Sequence, residues 1–361
     1  MATETLPASL ESDRVTAAGT SEANELFQQR GWSDGLPIVP PTEARVREFL
    51  EWVGLPPDHV IGVETVRRRP LTAEKVAVNA IAAGCLAPYF PVVVAAVEAM
   101  CEEAFLLHGC SASTGGSAPL IVVNGPIRRE IGMNATHNAL ANGSRANTTI
   151  GRALRLVLIN LLGCVPGELD RSTFGHPGKF TLCIAEDEEG SPWLPLAEER
   201  GAPEGGGVSA VTVMACESPH QLMNEWTEEP EEILETFAAS MRSNMLEYSI
   251  WSGNYAIVIG KQLRDLIVAR GWTKRDIREY IHARARVRRS DWASVGKAAL
   301  VKDRDPDQEY TALGSADDLL VIAAGGPAGG FGVMFPPWYG DRSAAVTKGI
   351  GVCVNCLGDP R

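Results

Sequence analysis

The alternation of apolar and polar residues opens the chain with helical periods. An amphipathic stretch capped by Thr42 runs through Trp52 and is stopped by Gly54. Thr72 opens a second helix that ends near Gly84, and Pro91 suits the first turn of a third that runs to about Phe105. The pattern then changes. "PLIVVNGP" (119–126) is a short unbroken apolar run between Pro and Gly, the mark of a buried strand. An Asn- and Gly-rich loop at 132–147 leads into an almost wholly apolar helix at 148–162, ended by Gly163 and Pro166. Further strands are predicted at 179–186, 208–217, 254–260, 317–326 and 350–355, with helices at 230–247, 261–269 and 273–288. No strong repeat and no low-complexity block is visible.

Strands interleaved with helices throughout predict an α/β fold, a mixed sheet flanked by helices, with room for two lobes. Residues 1–22 are polar and small and are expected to be a disordered tail. The acidic, Gly-rich "EERGAPEGGG" (198–207) is the expected seam. It divides a first α/β lobe, 23–200, from a second, 201–361, that holds a Gly-rich loop and a C-terminal strand.

Composition narrows the function classes. A net charge of −12 in 361 residues argues against a general nucleic-acid partner or an anionic membrane surface, both of which need a positive footprint. The basic segments "VRRRP" (66–70) and "KRDIREYIHARARVRR" (274–289) are expected to be solvated or to form oligomer contacts. No secretion pattern opens the sequence, and its apolar runs fall short of a membrane span, so a cytoplasmic protein is expected. Eight cysteines in such a chain imply reduced thiols. Apolar segments such as 86–99 suggest a homo-oligomer.

The candidate chemistry starts at the head of the apolar helix, "ANGSRANTTIGRALRLVLIN" (141–160). Thr148, Arg152 and Arg155 fall on one helical stripe, and Asn147 or Thr148 can serve as N-cap. Unpaired backbone N–H groups, a positive dipole end and guanidinium forks together make an anion site, with Arg145, Asn147, Thr149 and Arg152 as its donors. Alternatively, Arg152 and Arg155 pair with acids of the protein itself, Asp170 or the 186–189 run.

Neighbouring stretches add candidates. The Ser-, Thr- and Gly-rich "GCSASTGGSAP" (109–119) can bring backbone and Ser113 close to a ligand. "DRSTFGHPGKF" (170–180) carries His176, an acid or base near neutral pH, and Lys179, a charge holder. Glu186 follows an apolar strand and is a candidate base or counter-ion. His137, with Asn138 beside it, is another. Cys110 is the leading nucleophile, which requires a depressed pKa, although buried inert cysteine is the commoner case. Trp338 and Tyr339 can line a pocket or simply pack. "CVNC" (Cys353, Cys356) could cycle redox state or supply half of a metal site, yet it has no second C-x-x-C. The Gly-rich "AAGGPAGGFG" (323–332) lacks both the P-loop and the dinucleotide fingerprints. No cofactor and no metal site are expected.

The stretches "DGLPIVPPT", "APLIVVNGPI", "RANTTIGRALRL", "FGHPGKFTLCIAEDEEGSPW" and "AAGGPAGGFG" together resemble a widespread bacterial family of soluble α/β proteins associated with thiol- and selenol-containing (UGSC-type) proteins. The resemblance implies one fold over residues 25 to 350 and brings no activity with it. The residues themselves point to an enzyme acting on a small anionic metabolite by elimination, hydrolysis or displacement of an anionic leaving group, without a nucleotide. A cysteine-based redox or metal protein and a non-catalytic binding protein are the alternatives.

Overall fold

The computed structural model describes residues 9–202, 208–248 and 250–351. Its strands, in chain order, are β1 (Val60–Glu64), β2 (Arg69–Thr72), β3 (Ala118–Asn124), β4 (Cys183–Ala185), β5 (Ala210–Cys216), β6 (His220–Met223), β7 (Tyr255–Ile259), β8 (Arg286–Arg288), β9 (Glu309–Thr311), β10 (Leu319–Ala323), β11 (Phe331–Phe335) and β12 (Val346–Gly349). The fold is α/β. Two four-stranded mixed sheets, ordered β12-β5-β3-β4 and β10-β7-β11-β6, form its centre, and β1–β2 and β8–β9 are separate two-stranded ladders.

Side-chain alternation explains how the sheets are arranged. Along β3 and β5, Ile121, Val123, Val211, Val213 and Ala215 face one core, together with the helices Ala73–Ala83, Phe90–Cys101 and Arg145–Asn160. Leu120, Val122, Met214 and Cys216 face the other way, into a core shared with Ala256, Val258, Leu320, Ile322 and Phe335 of the second sheet. The far side of that sheet, with Tyr255, Ile257, Ile259 and Val321, is covered by the helices Pro230–Glu247, Lys261–Ala269 and Lys274–Arg284. The layers are therefore helix, sheet, sheet, helix. Strands buried on both faces need apolar residues at every position, which is why β3, β5, β7 and β10 read as unbroken runs. Each fully buried Leu or Ile side chain contributes roughly 1.5–3 kcal/mol.

The two sheets repeat one pattern. In the first, β3 pairs parallel with β4 and antiparallel with β5. In the second, β7 pairs parallel with β10 and antiparallel with β11. The fourth strands are exchanged: after β5 the chain supplies β6 to the second sheet, and after β11 it supplies β12 to the first. This repetition of topology has no counterpart in a visible sequence repeat.

Exchange corrects the division at residue 200, because β5 and β12 lie beyond it and yet belong to the first sheet. Part of the expected seam, 203–207, lies outside the described residues. The tail is corrected from residue 9 onward: the backbone N–H groups of Glu11 and Ser12 donate to the Glu74 carboxylate at 2.9 and 2.8 Å. The helix Thr20–Gln29 follows. The expected strand at 350–355 falls almost entirely outside the described residues, and the last strand seen is β12. The apolar segment 86–99, read as a reason to oligomerise, packs into the chain's own first core, where Phe90, Val92, Val93 and Val97 are fully buried. Among the described residues no single helix is long and apolar enough to cross a membrane.

Candidate functional site

The head of the helix Arg145–Asn160 is closed by the protein itself. Ser144, not Asn147 or Thr148, is the N-cap, and its hydroxyl accepts from the Asn147 N–H at 3.5 Å. Arg145 donates from Nε and Nη2 to the Gly84 carbonyl at 3.0 and 2.9 Å. Asn147 is buried and clamps Asn134 and the Cys183 carbonyl. Thr149 donates back to the Arg145 carbonyl at 2.8 Å. Arg152 grips Asp34 bidentately at 2.8 and 2.8 Å and also donates to the Pro37 carbonyl at 2.9 Å. A guanidinium so engaged has neither charge nor donors left for a guest. The anion site expected from Arg145, Asn147, Thr149 and Arg152 is thus replaced by internal clamps, and Asp34 supplies the counter-charge that 186–189 was expected to give.

Glu186 is also structural. It is 2 % exposed. One carboxylate oxygen accepts from Asn124 and the Leu196 N–H, each at 2.7 Å. The other accepts from Lys274 Nζ at 2.8 Å and from the Ala323 N–H at 3.2 Å. Burial opposes the ionised form, but the Lys274 ammonium and these donors outweigh it and hold the carboxyl below its ordinary range. A carboxylate with every lone pair engaged cannot serve as a base. The basic helix at Lys274–Arg284 is likewise not simply solvated, because Arg278 makes a bidentate pair with Glu199 at 2.9 and 2.7 Å.

His137 and Asn138 are exposed, near the glycine loop after β10, where a Cβ on Gly326 would come within 3.0 Å of the His137 ring. Asn138 takes a left-handed turn conformation, φ 62°. Cys110 is 8 % exposed, and burial pushes its thiol up to about 12, which removes it as a nucleophile. Cys353 and Cys356 lie outside the described residues. Among the described residues no group of three or more His, Cys, Asp or Glu side chains is placed to hold a metal ion.

The remaining candidates do converge, at the end of the first sheet where β3 and β4 begin and β5 ends. The exchanged strands part company here. The Glu217 N–H donates to the Pro336 carbonyl at 3.0 Å and the Trp338 N–H to the Ala215 carbonyl at 3.1 Å, which ties the two crossovers together. Trp338, 7 % exposed, donates from its indole to the Ser113 hydroxyl at 2.8 Å. Two loops touch backbone to backbone: the Thr173 N–H donates to the Thr114 carbonyl at 3.0 Å, and a Cβ on Gly116 would lie 3.0 Å from Gly175 Cα. Only glycine permits this approach. Lys179 donates to both Asp170 oxygens, at 2.9 and 2.7 Å, and to the Ser172 hydroxyl at 2.8 Å. Ser172 in turn donates to the Gly115 carbonyl at 3.0 Å. Arg155 approaches the same Asp170 at 3.3 Å. Burial opposes the Asp170 charge, but Lys179 and Ser172 hold its carboxyl below the ordinary value.

Two residues that the sequence reading did not single out complete the cluster. The Tyr248 hydroxyl, at the end of the helix Pro230–Glu247, donates to Glu217 Oε1 at 2.7 Å. A Cβ on Gly115 would meet that hydroxyl at 2.5 Å and Glu217 Oε1 at 3.3 Å, so the serine–glycine loop lies directly against the pair. Burial raises the Glu217 carboxyl to about 7; the Tyr248 hydrogen bond and the Lys179 charge oppose the rise without cancelling it. Burial, with Glu217 beside it, raises the Tyr248 hydroxyl. His176 is half-buried, and burial lowers its pKa, with the Cys216 carbonyl opposing and the Lys179 charge adding to the fall. Its Nδ1 accepts from the Gly178 N–H at 3.1 Å, and its Nε2 is buried.

A carboxyl that is half protonated near neutrality can both give and take a proton, which is the requirement for general acid–base work. No protein-family model matches the chain, and no curated protein matches it either.

Proposed function

We propose that the protein is an enzyme that transfers a proton to or from a small polar metabolite, with Glu217 as its acid–base group. One observation carries the reading: the Glu217 carboxyl, taking the Tyr248 hydroxyl at 2.7 Å, is pressed against the Gly115 backbone within the influence of the Lys179 ammonium. Tyr248 orients the carboxyl, and the Ser113–Ser117 loop offers close backbone approach to a bound molecule. Elimination and hydrolysis are the reaction classes that use such a group, because each needs a proton moved while charge develops on a neighbouring atom.

The test is incubation of the protein with a mixture of small hydroxy, amino and keto acids in D2O, followed by proton NMR. The wild type is expected to convert a component or to exchange one of its protons for deuterium. Glu217→Gln should slow that signal by about 100-fold or more, the usual contribution of a positioned acid–base group. A Gln variant as fast as wild type rejects the assignment.

A further inference from the structure

Ser113 follows the helix Leu107–Ala112, on the loop that lies against Glu217, and both residues are half-buried. The Ser113 hydroxyl oxygen accepts from the Trp338 indole N–H at 2.8 Å and from the Gly115 N–H at 3.0 Å. A serine oxygen has two lone pairs, and here both are taken. Among the described residues the hydroxyl donates to none, so it can meet a further group only by giving its hydrogen. Two N–H donors on one oxygen also polarise its O–H bond and strengthen it as a donor.

This donor stands beside the acid–base pair. The point that a Cβ on Gly115 would occupy lies 3.3 Å from Glu217 Oε1 and 3.4 Å from Ser113 Oγ. Trp338 ties the two groups together. Its indole holds Ser113, and its carbonyl accepts at 3.4 Å from the same Tyr248 hydroxyl that bonds Glu217. The indole is itself seated on backbone, because a Cβ on Gly109 would come within 2.8 Å of its ring. Two oxygens that solvent can reach therefore rest on one buried support, the arrangement that keeps a site's geometry fixed.

We propose that Ser113 is a second catalytic residue, whose hydroxyl binds the carbonyl oxygen of the substrate and stabilises the negative charge that forms there when Glu217 takes a proton from the adjoining carbon. The proposal rests on the acid–base reading of Glu217, and it names the substrate class: a small ketone or aldehyde with a hydrogen beside the carbonyl. A hydroxyl that can only donate accepts such an oxygen and has nothing to offer an ammonium group, which needs an acceptor. In the step, the C–H electron pair becomes the C=C bond of an enolate, the carbonyl π pair moves to oxygen, and the proton goes to the Glu217 carboxylate. Return of a solvent proton to carbon reverses it, so no co-reactant is needed. Hydrogens beside a ketone are far more acidic than those beside a carboxylate, which suits a base that is itself a carboxylate. A donor fixed where charge develops lowers the barrier further.

The full-length protein is incubated in D2O with pyruvate, 2-oxobutanoate and dihydroxyacetone in turn, and exchange of the hydrogens beside the carbonyl is followed by proton NMR. Wild type is expected to exchange at least one of them at a rate that saturates with its concentration. Ser113→Ala should lower kcat by about 100-fold with KM little changed, the effect of removing one donor from a developing oxyanion. That variant also strips the Trp338 and Gly115 N–H groups of their acceptor, so two others separate donation from support. Ser113→Cys keeps an acceptor for both but donates weakly, and should slow exchange by about tenfold or more. Ser113→Thr keeps the hydroxyl and should stay within about tenfold of wild type. Trp338→Phe leaves the hydroxyl in place and should lose less than Ser113→Ala. The proposal is overturned if none of the three ketones exchanges, if Ser113→Ala or Ser113→Cys is as fast as wild type, if Ser113→Thr is as slow as Ser113→Ala, or if Trp338→Phe loses as much. Proton transfer on other acids that Glu217→Gln abolishes, with no exchange of these ketones, would reject the role of Ser113 and leave the acid–base reading standing. Ketone exchange undiminished in Glu217→Gln would reject both.

Discussion

Replacing Glu217 with Gln should make the protein more stable above neutral pH while removing its activity. The carboxyl ionises at 4.5 in an unfolded chain and at about 7 in the folded one. Between those values the native state binds more protons than the unfolded state, so this group's contribution to stability is present at low pH and is lost as pH rises through about 7. At ~1.4 kcal/mol per pH unit, the interval corresponds to at most about 3 kcal/mol. Because solvent still reaches part of the carboxyl, screening reduces this to about 1–2 kcal/mol. Gln is neutral at every pH, and its amide oxygen can still accept the Tyr248 hydroxyl. The remaining titrating groups are common to both proteins and largely cancel in the difference. Urea denaturation of both proteins should therefore show the stability of Glu217→Gln relative to wild type increasing by about 1–2 kcal/mol from pH 5 to pH 8, with unchanged denaturant slopes. A difference that stays flat across this range, or that moves against the variant, refutes the account of a carboxyl forced up by burial. A site residue whose removal stabilises the fold is the usual sign of function purchased at the expense of stability.

Two other outcomes follow from the buried chemistry. Lys274→Met leaves the Glu186 carboxylate inside the protein without its cation and should cost about 3–5 kcal/mol in chemical denaturation, most of which Glu186→Gln restores in the double variant; a loss below about 1 kcal/mol would show that the pair is not needed there. Cys110, with its thiol at about 12, is only about one part in ten thousand thiolate at pH 8. Iodoacetamide should accordingly label it at a rate set by unfolding, and Cys110→Ala should retain the proton-transfer signal; rapid native labelling would refute its burial.

The elements were legible where periodicity reported burial on one face or on both. The unbroken run at 119–126 became β3 because both faces of that strand are covered, and the helices at 230–247 and 261–269 appear with nearly the same limits. The division into lobes was not legible, since pairing partners are set by the exchange of β6 and β12, and nothing in a strand's own residues records which sheet it will join. The hairpin strands Val60–Glu64 and Arg69–Thr72 were missed because their exposure pattern carries no clean alternation.

The site shows why charge is harder to read than shape. Arg145, Arg152 and Arg155 sit on one helix in equally suggestive surroundings, and what separates them is the partner that the rest of the chain delivers: the Gly84 carbonyl to Arg145, and carboxylates to the other two. Arg152 has Asp34 to itself, 118 residues away in sequence. Arg155 must share Asp170 with Lys179. No local pattern encodes that sharing, so it could only be found from the fold. Glu217, in contrast, was within reach. It is the first charged residue after a strand apolar at every position but Thr212, the same signal that drew attention to Glu186. The two carboxyls differ only in what meets them at the strand's end. Glu186 meets an ammonium and backbone donors and is held ionised, whereas Glu217 meets one tyrosine hydroxyl and a more distant lysine, which do not offset its burial. One arrangement fixes the seam between the sheets. The other leaves a proton free to move.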